Sequence, residues 1–250
     1  MTPNENIGLT IYCCYHQDEQ KQIDDSNTIW FDARQDPLNS YISEFAMFRW
    51  IYENDKESKY IGTCHYRRRI FEKDFDQKIF DEGGCQVLKE IKSHIKTRLP
   101  WGSRYSYDLK RYLSSFVLNQ YWMWKNYEDY ITKKYGENNK YLKLDEELRN
   151  KRFNFIQFSC GILDRKHFMD MCDYILGFLD YIDKKYNLNY SADKYEKFII
   201  TKFGEDYQNP TFLKWFHYKR FLGYIFEKMY SNYIMVNIPL YKQIESNGTE

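Results

Sequence analysis

Short apolar segments typical of β-strands alternate along this chain with longer segments typical of helices. Residues 9–15 (Leu-Thr-Ile-Tyr-Cys-Cys-Tyr) and 60–66 (Tyr-Ile-Gly-Thr-Cys-His-Tyr) are rich in β-branched, aromatic and small side chains. A short strand over residues 28–31 and a buried strand over residues 153–163 follow the same pattern. This alternation predicts an α/β fold with a mainly parallel central sheet.

Apolar residues also recur at helical spacing between these strands. We expect four main helices, over residues 41–54, 108–135, 166–185 and 213–233. The polar stretch 187–209 is predicted to be a mobile loop, and residues 234–240 are predicted to form a last strand. A chain of 250 residues suits a single domain, here over residues 1–242, with a flexible tail over residues 243–250.

The charge balance argues against a nucleic-acid partner. Lys and Arg number 37 and Asp and Glu number 36, so the formal net charge is +1. Proteins that bind nucleic acids usually carry a strongly basic field, which this composition lacks. We therefore predict that the partners are not nucleic acids.

The cysteines and the first residues of the chain indicate a reducing compartment. None of the six cysteines forms a Cys-x-x-Cys pair and four lie inside apolar runs, so we interpret them as small buried side chains. The sequence begins MTPNENIG, without the pattern of a signal peptide. No stretch approaches the ~20 apolar residues of a membrane span. We expect a cytoplasmic protein with at most peripheral membrane association.

The strand over residues 60–66 runs directly into three arginines, Arg67, Arg68 and Arg69. Ligands in open α/β sheets bind outside the carboxyl ends of the strands. Guanidinium groups match phosphate oxygens in geometry, and each such charged hydrogen bond contributes about 1.5–3 kcal/mol. The sequence thus indicates a diphosphate site that needs no metal ion.

A structural explanation of the same arginines is equally consistent with the sequence. They would then face water at the end of the strand, or pair with Glu44, Glu72 or Asp74.

The segment around these arginines resembles a known family signature. Residues 43–54 (SEFAMFRWIYEN) and 59–71 (KYIGTCHYRRRIF) are similar to a bacterial and viral family linked to capsular and exopolysaccharide synthesis and regarded as glycosyltransferase-like. Its pattern is matched by Asn39, Ile42, Ser43, Glu44, Trp50, Asn54, Gly62, His65, Tyr66, Arg67 and Arg68. Weaker similarities to the family, in the same order along the chain, lie at residues 12–16, before this signature, and at residues 161–168 and 220–228, after it.

The resemblance implies a Rossmann-like, GT-A-like nucleotide-sugar transferase fold with a helical C-terminal part. Residues from about 1 to 105 would form the nucleotide-sugar-binding half, and residues from about 106 to 242 the acceptor half. It implies a hexosyltransferase of the Leloir type, which moves a sugar from a nucleoside diphosphate to a glycan or lipid-linked glycan in surface polysaccharide synthesis. The donor would contact His16, Asn39, Ser43, His65, Tyr66, Arg67 and Arg68.

Two carboxylates are candidates for the catalytic base. A transferase that inverts the anomeric centre needs a base to accept the proton of the acceptor hydroxyl. Glu227 is the first candidate, because it shares a helical face with Arg220 and Gly223 and matches the family pattern. Glu44 is the second. The structural alternative for Glu227 is an ion pair with Arg220 or plain exposure to solvent. The structural alternative for Glu44 is an ion pair with Arg49 or with the cluster Arg67–Arg69.

Metal binding is a weaker alternative. Asp74 and Asp76 form a literal Asp-x-Asp, whose carboxylates together with diphosphate oxygens would suit Mg²⁺ or Mn²⁺. The triplet lies in a polar segment, however, and short triplets of this kind often arise by chance.

A non-catalytic binding module is the rival interpretation. It would use Arg67, Arg68 and Arg69 to recognise a phosphorylated or acidic partner. Hydrolase and nucleoside-triphosphatase interpretations have little support, because the sequence has no Gly-rich phosphate loop, Gly-x-Ser-x-Gly or His-Glu-x-x-His motif.

Overall fold

The computed structural model describes residues 7–21, 28–88, 121–147, 159–204 and 219–244. Six strands form one sheet in the order β2-β1-β3-β5-β4-β6. Their bounds are β1 Leu9–Tyr15, β2 Thr28–Asp32, β3 Tyr60–His65, β4 Cys85–Leu88, β5 Gly161–Asp164 and β6 Tyr241–Ile244. Five of these strands run in one direction and β5 runs in the other, so the predicted α/β fold with a mainly parallel sheet is confirmed.

Helices cover most of the described chain outside the sheet. Their bounds are α1 Asn39–Ile42, α2 Phe45–Asn54, α3 Gln77–Asp81, α4 Tyr121–Tyr135, α5 Lys140–Glu147, α6 Arg165–Tyr186, α7 Ala192–Phe203 and α8 Phe221–Asn237. Short 3₁₀ turns occur at Asp18–Gln20, Ala33–Gln35 and Glu72–Asp74. No helix in this part of the chain is both long and apolar enough to cross a bilayer.

The sheet separates two hydrophobic clusters of unequal size. Successive residues of a strand point to opposite faces, so Tyr12 and Cys14 join the large cluster beneath the helices, whereas Ile11 and Cys13 join the small one. The large cluster includes Phe48, which packs against rings of α6 and α8. All six cysteines are buried and unbridged, as the sequence predicts.

Two predictions of secondary structure, for residues 187–209 and 234–240, are wrong. The stretch predicted as a mobile loop contains α7, whose Tyr195, Phe198 and Ile199 are buried at helical spacing between lysines and acidic residues. The strand predicted over residues 234–240 is largely helical, because α8 continues to Asn237.

The final strand begins later, at Tyr241, where it pairs with β4. Gln243 and Ile244, assigned by the sequence to a tail, therefore belong to the sheet. The predicted segments 108–120, 153–158 and 213–218 lie outside the described residues.

Asp55 connects the sheet to the helices. Its carboxylate accepts hydrogen bonds from Tyr12 Oη at 2.8 Å, from Ser58 N at 3.0 Å and from Arg165 Nη1 at 3.0 Å. Burial by itself would raise the pKa of this carboxyl, but the hydrogen bonds from Ser58, Tyr12 and Arg165 outweigh it and hold the pKa at about 2. One buried anion thus ties β1 to the start of α6.

We predict that Asp55→Asn lowers the free energy of unfolding at pH 7 by about 1.5–3 kcal/mol, since charge-assisted hydrogen bonds are lost. The native pKa lies below the unfolded value near 3.9, so the contribution is complete above that pH and is lost as the pH falls through 2. Urea unfolding at pH 7 and pH 2 tests this, with the exposed neighbour Glu53→Gln as the control. An equal difference at both pH values would contradict the assignment.

Candidate active site

A cleft of about 280 Å³ lies at the carboxyl edge of the sheet. Cys14 and His16 from the end of β1, Ala33 after β2 and His65 at the end of β3 form one side of it. The other residues that line it are Asn39, Ser40, Ser43, Glu44, Lys219 and Arg220. Three parallel strands end together here because β1 pairs with both β2 and β3, and this is the edge where open α/β sheets bind ligands.

The cleft depends on a break in the first helical segment. The helix predicted over residues 41–54 is two helices, because Ser43 adopts φ 56° and ψ −135° between α1 and α2. A non-glycine residue in such a conformation is strained and persists only where its surroundings enforce it. Here Arg220 Nε donates a hydrogen bond to Ser43 Oγ at 2.7 Å.

Gly223 allows α8 to approach this turn. A Cβ atom at that position would lie 2.6 Å from Ser43 Oγ and 3.1 Å from Ser43 Cβ. Only glycine fits such a close approach, so Gly223 sets the distance at which Arg220 reaches the turn.

Glu44 lies in a cluster of basic side chains. Its Oε2 is 3.3 Å from Arg220 Nη2, and its Oε1 is 3.8 Å from His65 Nε2. Burial by itself would raise the pKa of Glu44, but Arg220, His65 and Arg68 overcome that effect and lower it. Arg49 pairs instead with Asp36 at 3.1 Å, so the alternative of a Glu44–Arg49 ion pair is wrong.

The second candidate base has the opposite electrostatics. Burial and the neighbouring Glu44 raise the pKa of Glu227 to about 7, while Arg220 and Arg68 only partly compensate. Two nearby carboxyl groups whose pKa values diverge are typical of sites where one stays charged and the other exchanges a proton. Glu227 does not line the described cleft; it interacts electrostatically with Glu44 and Arg68.

Both histidines of the site are neutral near pH 7. Burial lowers the pKa of His65 to about 4, with Arg68 and Arg67 adding to the effect, and burial with Arg67 also lowers the pKa of His16. Nδ1 of His65 is 3.3 Å from Arg67 N and accepts its hydrogen bond, which assigns the proton to Nε2. His65 therefore presents a hydrogen-bond donor at the cleft.

The residues after His65 occupy three environments. The rings of Tyr66 and His65 lie tilted against each other with their centroids 4.1 Å apart, and Tyr66 contacts His16 edge-on at 5.4 Å. The buried hydroxyl of Tyr66 has no hydrogen-bond partner among the described residues. Arg67 is exposed, with its guanidinium over the Tyr66 ring. Arg68 is half-buried and interacts with both Glu44 and Glu227.

Arg69 is a packing residue. It is buried, and its guanidinium lies 5.2 Å from the ring of Trp30 and 4.8 Å from that of Phe71. Such stacking is favourable for a desolvated guanidinium.

The Asp-x-Asp carboxylates support local structure. Asp74 Oδ2 accepts a hydrogen bond from Phe71 N, and Asp76 caps α3 and pairs with Lys242 at 2.7 Å. Neither lines the cleft. Within the described ranges, no group of three or more His, Cys, Asp or Glu side chains is arranged to hold a metal ion.

Comparison with solved structures identifies the fold. The chain superposes on the apo structure of the WbbM bifunctional glycosyltransferase with a TM-score of 0.62 and 15% sequence identity. The match covers 97% of this chain and 45% of that chain. The chain therefore has a glycosyltransferase fold. No protein-family model matches the sequence, and no curated protein matches it at a significant level.

Within that fold, the cleft brings together His16, Asn39, Ser43, Glu44 and His65, all of which were predicted from the sequence. Ser40, Lys219 and Arg220 also line the cleft, although the sequence did not predict a site role for them. The available signal was the shared helical face of Arg220 and Gly223, which did not reveal that this face meets Ser43.

We predict that Gly223→Ala destabilises the protein by about 1–3 kcal/mol, because the new methyl group overpacks the Ser43 turn. The expected sign is opposite to that of helix propensity, which favours Ala over Gly by about 1 kcal/mol. Thermal and urea unfolding measure the change, with Thr201→Ala on the exposed face of α7 as the control. A stabilised Gly223→Ala variant would contradict the close approach.

Proposed function

We propose that the chain is a hexosyltransferase of the Leloir type, which transfers a sugar from a nucleoside diphosphate to a glycan or lipid-linked glycan acceptor. Its setting would be surface polysaccharide synthesis in the cytoplasm, with at most peripheral contact with the membrane. The observation that carries this proposal is the cleft at the carboxyl edge of β1, β2 and β3, within a glycosyltransferase fold.

The chemistry of the cleft suits a diphosphate. Arg220 and Lys219 line it, and Arg67 and Arg68 follow the strand that ends in it. Guanidinium and ammonium groups held in place before the reaction stabilise the charge that develops on a departing diphosphate. These side chains would supply that stabilisation from the protein itself.

Neutral groups would orient the donor. His65, whose Nε2 carries the proton, and the polar residues Asn39 and Ser40 line the cleft. His16 and Tyr66 add ring surfaces beside it. A nucleotide-sugar offers polar groups and ring faces that match both kinds of contact.

Glu227 is the better candidate for the base. A general base works best when its pKa lies near the operating pH, and the pKa of Glu227 is about 7. Glu44 is less suitable, because its ion pairs lower its pKa and weaken it as a proton acceptor. In this proposal Glu227 takes the proton of the acceptor hydroxyl as that oxygen attacks the anomeric carbon and the diphosphate leaves.

We predict that at least one of UDP-, GDP- and dTDP-sugars binds, and that Arg67→Ala weakens binding about 10-fold or more, from the loss of a charged hydrogen bond. Isothermal titration calorimetry measures both effects. Arg67 is exposed, so its replacement leaves the core intact, and the exposed Lys56→Ala serves as the matched control.

Absence of binding by all the sugars, or equal binding by Arg67→Ala, would contradict the donor site. Binding without release of free nucleoside diphosphate across a panel of glycan acceptors would favour the binding-module alternative.

We predict that kcat/KM rises with pH through an inflection near 7, because the base of the free enzyme must be ionised to accept a proton. Activity is thus lost as the pH falls below the pKa of Glu227. Glu227→Gln should reduce kcat by 10²–10⁴-fold while leaving donor affinity within a factor of two or three. A variant that retains the activity and the pH profile would remove Glu227 from the base role.

A further inference from the structure

An anion already occupies the most basic part of the cleft. Arg220 Nη2 donates hydrogen bonds to both oxygens of the Glu44 carboxylate, at 3.3 Å to Oε2 and 3.5 Å to Oε1. Its side chain does not cap α2, although Glu44 stands at the N-terminal end of that helix. Its contacts are therefore made across the cleft, with α8 and the end of β3.

The groups that contact Glu44 also line the space where a diphosphate would bind. Arg220 and His65 are both cleft residues, and so is Glu44 itself. Like charges at contact distance in a half-buried site repel strongly. A diphosphate that approaches Arg220 therefore meets the carboxylate that Arg220 now neutralises.

The backbone turn next to Glu44 is strained and is restrained by Arg220. Ser43, immediately before it, has a positive φ and is held by the hydrogen bond from Arg220 Nε. One side chain thus restrains both the strained turn and the carboxylate. A ligand that engages the Arg220 guanidinium acts on both at once.

We infer that the Glu44 carboxylate occupies the place of a phosphate group in the ligand-free cleft. A diphosphate that binds there replaces Glu44 as the partner of Arg220, and the carboxyl pair of Glu44 and Glu227 takes up one proton from solvent. This inference rests on the proposed donor site. No covalent bond changes in this step; the proton neutralises one carboxylate as the diphosphate charge enters.

The charged surroundings of Glu44 agree with this exchange. Among the described residues, the groups that interact electrostatically with it are Arg220 just before α8, Tyr224 and Glu227 in α8, His65 and Arg68 at the end of β3, Cys14 and His16 at the end of β1, and Cys160 before β5. Burial and Glu227 disfavour a charged Glu44, so once Arg220 is engaged elsewhere the pKa of the pair rises.

The test is calorimetric titration with inorganic pyrophosphate and with UDP, GDP and dTDP, at pH 6.5 in buffers of different ionisation enthalpy. The dependence of the measured heat on the buffer gives the number of protons taken up. The wild type should take up at least half a proton more than Glu44→Gln. Protons taken up by the probe itself, and most of those taken up by His16 and His65, are the same for both proteins and cancel when the two uptakes are subtracted.

Affinity provides the second readout. Glu44→Gln should bind these probes about tenfold more tightly at pH 8, where the wild-type carboxylate competes most strongly. Glu53→Gln, at an exposed position of α2, should match the wild type in both proton uptake and affinity. The wild-type measurement is independent of whether a variant folds.

The outcomes separate this inference from the proposed function. Equal proton uptake by wild type and Glu44→Gln, with no gain in affinity, would overturn the exchange even if nucleoside diphosphates bind. Binding of pyrophosphate with the expected difference, but of no nucleoside diphosphate, would support the exchange and contradict the donor site. Binding of none of the probes would overturn both.

Discussion

The contact of Arg220 with the Ser43–Glu44 turn determines the form of this site. One guanidinium donates to Ser43 Oγ and pairs with the Glu44 carboxylate, so the last helix is fixed to the break between α1 and α2. That break directs residues 39–44 toward the ends of β1 and β3, and those strand ends supply the opposite wall of the cleft. Gly223 makes the contact sterically possible. The same residues therefore hold the fold together and line the cleft.

Electrostatic asymmetry is the second organising feature of the site. Glu44 and Glu227 share the same neighbourhood, yet the first is held charged by Arg220 while the pKa of the second is raised to about 7. The difference arises from access to cations rather than from residue type. Burial likewise keeps both histidines neutral, so the positive charge of the site is carried by arginine and lysine. A diphosphate would thus meet fixed charges, while proton exchange is reserved for the carboxyl pair.

The sequence was sufficient for features that depend on local pattern. The run of apolar residues in β1 and the helical period of α6 gave those elements nearly to the residue, and the polar ends of β1 and β3 indicated the edge of the sheet where the cleft lies. The break at Ser43 was not predictable, because its hydrophobic pattern continues into α2 and the cause of the break is a side chain 177 residues away. The divergent pKa values likewise depend on burial and on neighbours distant in sequence, which no local motif encodes.

The reversed direction of β5 has a consequence for how such a chain can vary. β5 lies antiparallel between β3 and β4, so the chain enters β5 at the carboxyl edge of β3 and leaves it at the opposite edge to begin α6. At the point of entry, Thr63 Oγ1 donates a hydrogen bond to the carbonyl oxygen of Ser159. An insertion just before Ser159 would therefore emerge at the edge of the sheet that holds the cleft, whereas one at the start of α6 would emerge at the opposite edge. If the cleft is the proposed donor site, relatives that use different acceptors would be expected to differ in length at the first junction, while β1, β2 and β3 stay constant.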